Sequence, residues 1–473
     1  MSAACCGTGL PPDPPILHAG RPISSGASRR GWLGWALFDW ANQPFFTLIT
    51  TFIFAPYFAT VVVGEAVRGQ ALWSYAQAMA GVLIAVLAPI AGAVGDQGSR
   101  RKPWIAVFVG VAMAAMAVLW LAVPGNGAIG LALVGVVIAT VAVELAILFN
   151  NAMLPGLIQD RALGRLSGFG WGLGYVGGLA ALVILLLGFG AGVTGDTANG
   201  YFAARISGPF SALWLALFSL PLFWFTPDRQ RRALAPTIAL CQGLARLKAT
   251  LGGLSRMPTI SRFLIARMLY FDGLSAVYAF GGIYAAGIFG WRTPTLGLFG
   301  ILLILFSMVG AFAGGWLDDR IGSKRTIVLG LAGLIVGALG IVSLTAHSVL
   351  FGIPVAPASG GPFSGRAAQA MLVFSGLVGL CGGPVQAASR TLMARLAPPG
   401  RVAEFFGLYA LSGKATAFLA PLVIGIVTAG LNSQRAGLAV VLVFLGAGLA
   451  LFTGVREPRR GGPTFSDGNG ACR

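Results

Sequence analysis

The chain has 473 residues, of which 56% are hydrophobic and only 10% are charged. Soluble globular proteins have about a quarter of their residues charged, so the composition indicates a polytopic membrane protein. Five scattered cysteines and two histidines argue against a disulfide framework, a zinc site and Cys/His catalysis. No Gly-Lys-Ser/Thr phosphate-binding loop follows the glycine-rich stretch at 168–178. We therefore expect no enzyme, no ATP-driven pump, no cofactor and no metal.

The chain begins with a segment rich in Gly, Pro and Ser that lacks the apolar core of a signal peptide, and we interpret it as a disordered tail. Apolar runs of roughly 20 residues follow, which is the length of a transmembrane helix. Because backbone groups in lipid must bond internally, the runs predict an all-α fold. We predict twelve spans, at about 33–62, 71–95, 103–123, 127–157, 167–191, 207–226, 262–289, 295–318, 325–345, 367–395, 404–430 and 434–454.

The basic residues indicate the orientation. With the N-terminus inside, 25 of the 32 Lys and Arg residues fall in the tails and inner loops, and five fall in outer loops. This bias predicts that both termini are cytoplasmic, and it explains the net charge of +18 without nucleic acid. We expect a bacterial inner (cell) membrane. The expected regions are a disordered cytoplasmic tail at 1–30, six-helix bundles at 31–226 and 262–454, a basic linker at 227–261 and a cytoplasmic tail at 455–473.

Two related loops indicate that the chain is duplicated. "GAVGDQGSRRK" (92–102) follows the second span and "GGWLDDRIGSKR" (314–325) follows the eighth, which is close to half a chain length further on. The second loop resembles the cytoplasmic loop signature of the major facilitator superfamily, whereas the first departs from it at Gln97 and Ser99. The resemblance implies twelve spans in two six-helix halves around a central cavity. The expected conformational-switch residues are Gly92, Asp96, Arg100, Arg101, Gly315, Asp319, Arg320, Gly322, Lys324 and Arg325.

A narrower resemblance rests on longer blocks. "LFDWANQPFFTLITTFIFAPYF", "FNNAMLPGLIQDRALGRLSGFGWGLGYVGG" and "GGPVQAASRTLMARLAPPGRVAEFFGLYALSGKATAFLAP" resemble the unknown major facilitator family. That family includes the vacuolar amino-acid effluxers of the autophagy pathway. The resemblance implies a secondary transporter that works by alternating access, with amino acids as the substrate class. The expected partners are the lipid bilayer, a small solute and protons, with no obligate protein partner.

Charged residues within the spans are candidates for the transport site, because each costs roughly 3 kcal/mol or more at the bilayer centre. They are Asp39, Glu144, Arg267, Asp272 and Lys414. Alignment of the first and seventh spans matches Asp39 with Asp272. Both lie about 15 Å from the inner end, at about 1.5 Å per residue. Two such carboxylates at one depth suggest a proton or substrate site.

The depths of these charges suggest one ion pair. Lys414 lies at a depth similar to that of Asp272, on a helix that neighbours the seventh in this superfamily, and we predict that the two pair. The alternative is that the pair only stabilises the fold. The position aligned with Lys414 in the first half is Tyr175, so Asp39 has no symmetric cationic partner. Asp39 is therefore the expected proton carrier, with Asp272 in a charge-paired, conformation-sensing role.

The remaining polar residues are assigned by helix. Glu144 is expected to bind a substrate amine or a proton; the alternative is a protonated carboxyl hydrogen-bonded between helices. Arg267 is expected to snorkel toward the inner surface, and Arg390 to belong to the loop charges. Further substrate-binding or proton-coupling candidates are Asn42, Gln43, Asn150, Asn151, Tyr175, Tyr278, Gln386 and Tyr409.

Two other functions stay open on the sequence. An exporter of amphipathic drugs would suit the aromatic content, and a membrane sensor or scaffold could keep the fold without transport. A polar cavity argues against the sensor. We therefore predict a proton-linked or facilitative transporter of small polar solutes.

Overall fold

The structure, a computed structural model, describes residues 27–98, 100–124, 126–188, 202–228, 236–291, 293–355 and 363–458. Nearly all of the expected N-terminal tail and most of the expected C-terminal tail lie outside the described residues. The described residues contain twelve helices long and apolar enough to cross a membrane, which confirms the predicted number.

These twelve spans form two sets of six, and we number them in chain order. Spans 1 to 6 are built on helices Arg29–Pro44, Ala66–Gly98, Lys102–Val118, Asn126–Met153, Leu163–Gly188 and Phe202–Phe225. Spans 7 to 12 are built on Pro258–Phe289, Thr293–Ile321, Ser323–Val342, Arg366–Leu396, Val402–Lys414 with Leu419–Leu431, and Gln434–Thr453. We call the end of the bundle that carries the loops after spans 2, 4, 8 and 10 the basic end.

The first span changes its winding halfway along. After Pro44 it continues as π-helical turns at Phe45–Phe52 and Phe58–Val62, with a short α-helical turn, Phe54–Tyr57, between them. Proline lacks the backbone N–H donor and crowds the preceding turn, so an α-helix commonly changes its winding near it. The hydroxyls of Thr50 and Thr51 both donate to the Phe46 carbonyl, which satisfies a backbone oxygen in this stretch.

The eleventh span is interrupted, whereas the sequence predicted one continuous helix over 404–430. Helix Val402–Lys414 ends and Leu419–Leu431 begins after four intervening residues. Pro421 lies in the first turn of the second helix, where its missing N–H is tolerated; in a continuous helix it would break a backbone bond. The first segment packs on spans 2, 4 and 7. The second packs on spans 7 and 12. The interruption therefore separates a segment at the interface between the halves from a segment that packs within the second half.

Two short elements lie outside the spans. An antiparallel hairpin pairs Ser348–Val349 with Ile353–Pro354 in the loop between spans 9 and 10, whereas all the spans are helical as predicted. Helix Pro236–Gly253 lies in the expected linker and packs on span 2.

The two halves meet along two helix pairs, span 2 with span 11 and span 5 with span 8. At the second crossing the backbones touch. A Cβ atom added to Gly168 would lie 2.5 Å from the Ala311 carbonyl oxygen and 2.6 Å from Gly315 Cα. Small residues permit this close approach in lipid, where packing between helices replaces the hydrophobic effect.

We expect Gly168→Val to destabilise the contact between spans 5 and 8. The added methyl groups have no room, and overpacking typically costs about 1 to 3 kcal/mol. Denaturant titration of the purified protein measures the loss. The matched control is Gly110→Val on span 3, where an added Cβ meets nothing within 4 Å. Equal stability of the two variants would contradict the close packing.

Candidate functional site

The first charge pair joins spans 1 and 10 inside the bundle. Arg390 Nη1 lies 2.7 Å from Asp39 Oδ2, and the Arg390 side chain is only 3% exposed. A Cβ atom at Gly170 on span 5 would lie 2.6 Å from the same carboxylate oxygen, so this glycine makes room for the pair. The expectation that Arg390 belongs to the loop charges was therefore wrong. Asp39 has no cation at the symmetric position, which is Tyr175, but it has a cationic partner on span 10.

Arg390 also binds spans 4 and 5. Its Nε donates to Ser167 Oγ at 2.9 Å, its Nη2 donates to the Ser167 carbonyl, and its Nη1 lies 3.3 Å from Asn151 Oδ1. The guanidinium also lies over the rings of Trp35 and Trp171. One buried arginine of the second half thus holds three helices of the first half.

The second charge pair joins spans 4 and 11. Lys414 Nζ lies 2.8 Å from Glu144 Oε1, so the predicted pair between Lys414 and Asp272 was wrong. Lys414 ends the segment of span 11 that packs on the other half, which directs its side chain across the interface. The side chains are 29% and 17% exposed, so both are more accessible than the Arg390 side chain.

Asp272 is buried at 2% exposure beside the interruption of span 11. Its Oδ2 makes no well-formed hydrogen bond among the described residues, although the buried hydroxyl of Thr416, which lies in the interruption, is close enough to interact with it. A buried carboxylate without a well-formed hydrogen bond is costly in a membrane.

Arg267 does not snorkel to the surface, and that expectation was wrong. It is 5% exposed, and its Nη1 donates to the Tyr409 carbonyl at 2.7 Å and to Ser412 Oγ at 2.8 Å. The guanidinium lies 3.5 Å from the centre of the Tyr409 ring and 4.8 Å from that of Phe271. Hydrogen bonds and ring contacts toward span 11 compensate for its burial.

Of the uncharged candidates, two pairs make direct contacts. Gln386 Nε2 donates to Tyr175 Oη at 3.2 Å, which links spans 10 and 5 near the middle of the bundle. Tyr278 Oη lies 3.2 Å from the Ser307 hydroxyl within the second half.

The asparagines and Gln43 are placed differently from one another. Asn42 Nδ2 donates to the carbonyl of Phe38, so it satisfies its own helix. Gln43 is half-buried and faces Gly174 and Gly178 of span 5. Asn150 is fully buried, and its side-chain nitrogen and oxygen have no partner among the described residues.

The two loop aspartates cap helices of the opposite half. Asp96 Oδ2 accepts a hydrogen bond from the backbone N–H of Glu404 at 2.9 Å, at the start of span 11. Asp319 accepts from the N–H groups of Gly164 and Arg165 at 2.9 and 3.1 Å, at the start of span 5. A carboxylate at a helix N-terminus satisfies free N–H groups and complements the helix dipole. The duplicated loops therefore make equivalent contacts across the interface.

The other expected switch residues lie around these caps. Arg101 Nη2 lies 3.5 Å from Asp96, and Lys324 Nζ donates to the Thr453 carbonyl at 2.7 Å. The Arg320 guanidinium lies over the Trp316 ring. Gly322 has φ of +95°, a backbone conformation that favours glycine. Gly92 lies against the backbone of span 11, while Arg100 and Arg325 are exposed.

Several residues of this interface were missed from the sequence. Arg395 at the end of span 10 binds Asp160 of the first half at 2.9 Å and Asp318 of its own half at 2.9 Å. Glu404 binds Arg401, and it accepts a hydrogen bond from the hydroxyl of Thr250 on the linker helix. In the sequence, a charge at the end of a span indicates only the orientation of the chain in the membrane. The packed structure is needed to show which of these charges are buried and paired.

Comparisons with known proteins agree with this geometry. The model of a family described as "Vacuole effluxer Atg22 like" matches residues 58–461. The uncharacterized MFS-type transporter YxiO of Bacillus subtilis (strain 168) is 24% identical over 423 residues, covering 87% of this chain and 91% of YxiO. Autophagy-related protein 22 of Cryptococcus neoformans var. neoformans serotype D (strain JEC21) is 27% identical over 296 residues. That match covers 59% of this chain and about half, 48%, of the fungal protein.

Solved structures match over nearly the whole chain. The fucose transporter FucP in its outward conformation has a TM-score of 0.67 at 14% identity, covering 91% of this chain and 99% of FucP. The proton:xylose symporter XylE has a TM-score of 0.65 at 14% identity, covering 90% and 95%. At this identity the likeness shows the major facilitator fold and nothing finer.

Proposed function

We propose that this chain, which belongs to the family of Atg22-like vacuole effluxers, carries amino acids across a membrane by alternating access. It is an MFS-type transporter and a multi-pass membrane protein, and not an enzyme. Family membership alone does not identify the solute class, the solute site or the coupling ion, and these three are what we propose. The charge bias and the bacterial relative YxiO support a bacterial cell membrane with the basic end in the cytoplasm.

The observation that carries the proposal is the ion pair between Glu144 and Lys414. An amino acid carries an ammonium and a carboxylate separated by one carbon atom. The ammonium can bind Glu144 and the carboxylate can bind Lys414, each replacing the contact that the two side chains make with one another. Because the two residues belong to opposite halves, one bound molecule would hold both halves together.

The polar contacts across the interface support a state closed at the basic end. The caps made by Asp96 and Asp319 and the pair of Arg395 with Asp160 lie at that end, and Asp39 and Arg390 lie above them in the bundle. Opening the basic end requires these bonds to break. A solute that binds better to one state shifts the population toward it, which is the thermodynamic basis of alternating access.

Proton coupling is assigned to Asp272 in place of Asp39. Asp39 is neutralised by Arg390, whereas Asp272 keeps a buried oxygen without a well-formed hydrogen bond among the described residues. A buried carboxylate with an unsatisfied oxygen is costly, and binding a proton removes its charge. Its place beside the interruption of span 11 supports a link between protonation and motion of that span.

We expect Asp272→Asn to abolish accumulation driven by a pH gradient while exchange of solute across the membrane continues. The amide has nearly the same shape as the acid and cannot exchange a proton. Proteoliposomes with a labelled amino acid, with and without an imposed pH gradient, separate the two activities. The matched control is Ser275→Ala, three residues further along and exposed. Gradient-driven accumulation at the wild-type level in Asp272→Asn would refute the assignment.

The solute class is tested by counterflow with labelled amino acids against a panel of amphipathic dyes. We expect amino acids to exchange and dyes to be inert. Exchange of dyes alone would favour a drug exporter. Ligand binding without any movement in liposomes would favour a sensor.

A further inference from the structure

A cavity of about 510 Å³ opens at the basic end between spans 3 and 6, outside the transport site. Its lining consists of Arg100, Lys102, Pro103, Ala106, Phe223 and Asp228. Basic side chains thus lie at one part of this cavity and apolar ones at another. That combination matches an amphipathic ligand.

The charges in the cavity favour an anion. Asp228 accepts hydrogen bonds from the backbone N–H groups of Arg101 and Lys102, at 3.0 to 3.2 Å, so its carboxylate is bound to the start of span 3. Lys102 Nζ donates to the Phe223 carbonyl at 2.9 Å, which uses one of its three N–H donors. Arg100 is exposed. Two cationic groups therefore remain for a ligand against one compensated carboxylate.

The surface beside the cavity is apolar and exposed. Val107, Trp224 and Phe225 are 60%, 69% and 46% exposed. Trp224 and Phe225 lie at the end of a transmembrane span, where aromatic residues mark the level of the lipid headgroups. The cavity therefore lies where the headgroup layer meets the acyl chains.

We propose that this cavity binds one anionic phospholipid of the phosphatidylglycerol type from the cytoplasmic leaflet. The phosphate lies between Arg100 and Lys102. The acyl chains follow Ala106 and Phe223 onto the apolar surface of spans 3 and 6. This lipid site is separate from the solute and proton sites, and the proposed transport function does not depend on it.

The equivalent place in the second half has no counterpart of Arg100. Lys324 donates to the Thr453 carbonyl and its backbone N–H binds Glu457, just as Lys102 binds Phe223 and Asp228. Counting back two residues from each lysine gives Arg100 in the first half and Gly322 in the second. The second half thus has no cation at the position of Arg100. Its exposed Arg325 follows the lysine, where the first half has Pro103, so we expect the site in the first half only.

The test is lipid binding to the purified full-length protein, measured by native mass spectrometry of delipidated protein in detergent. Phosphatidylglycerol, phosphatidylethanolamine, phosphatidylcholine and inorganic phosphate are titrated separately. We expect one tightly bound phosphatidylglycerol. Arg100→Ala should weaken it about fivefold, since a basic residue at a membrane surface contributes roughly that factor.

Two further variants make the result specific. Ala106→Phe fills the apolar part without changing charge and should also weaken binding, and because Ala106 is exposed the protein should fold. Arg325→Ala removes an exposed cation from the second half and should leave binding unchanged. Equal binding of phosphatidylcholine or phosphatidylethanolamine would overturn the proposal. So would binding by inorganic phosphate alone, or equal loss in Arg325→Ala.

Discussion

Arg390→Ala is expected to lower the free energy of unfolding by about 3 to 5 kcal/mol, which is the usual cost of removing one partner from a buried ion pair. The substitution leaves the Asp39 carboxylate without its counter-ion in the bundle and removes the bonds to Ser167 and Asn151. Denaturant titration of the purified protein gives the difference in stability.

A double-mutant cycle separates the pair from its surroundings. Asp39→Asn and Arg390→Gln each leave one charge unpaired, whereas the double variant leaves none. We therefore expect the double variant to be more stable than the sum of the single losses implies. Simple additivity of the two losses would mean that Asp39 and Arg390 do not interact in the protein.

Lys414→Ala is expected to raise the KM for the amino acid about 10- to 100-fold. The lost contact is a hydrogen bond to a charged group, worth about 1.5 to 3 kcal/mol, and about 1.4 kcal/mol corresponds to a factor of ten. Since the pair with Glu144 is partly exposed, the loss of stability should stay below about 1 kcal/mol. Counterflow kinetics and denaturant titration measure the two effects on the same preparation.

Further variants of the pair between Lys414 and Glu144 separate its role in solute binding from its role in stability. Lys414→Arg keeps the charge and should retain most of the affinity, whereas Lys414→Gln should behave like alanine. Exchanging the charges by combining Glu144→Lys with Lys414→Glu should restore stability without restoring the original affinity, because the ammonium and carboxylate sites are then reversed. An unchanged KM in Lys414→Ala would remove the pair from the solute site.

The fold could be predicted from the sequence because each span carries its own signal. Twenty apolar residues in a row identify a helix without reference to the rest of the chain. The repeat of the loops at 92–102 and 314–325 then related the halves. The interruption of span 11 was missed because its residues 415–418 are apolar enough to continue the run, and only Pro421 hinted at a break.

The pairing of charges could not be predicted in the same way. Asp39 and Arg390 are 351 positions apart, and no spacing in the sequence connects spans 1 and 10. The internal repeat relates Asp39 to Asp272 by symmetry, but symmetry-related residues need not share a kind of partner. The partner of Asp39 comes from the opposite half, and Asp272 faces the interruption of span 11 within its own half.

The interruption at 415–418 divides the eleventh span into two helical segments that can take different directions. Lys414 is the last residue of the segment that packs on the first half, and Leu419–Leu431 packs on spans 7 and 12. The solute would then bind next to this interruption. The 13-residue helix Leu419–Leu431 would extend from the solute site toward the far side of the membrane. Movement of that helix at the far side would not require the caps at the basic end to break, so the two ends of the bundle need not move together.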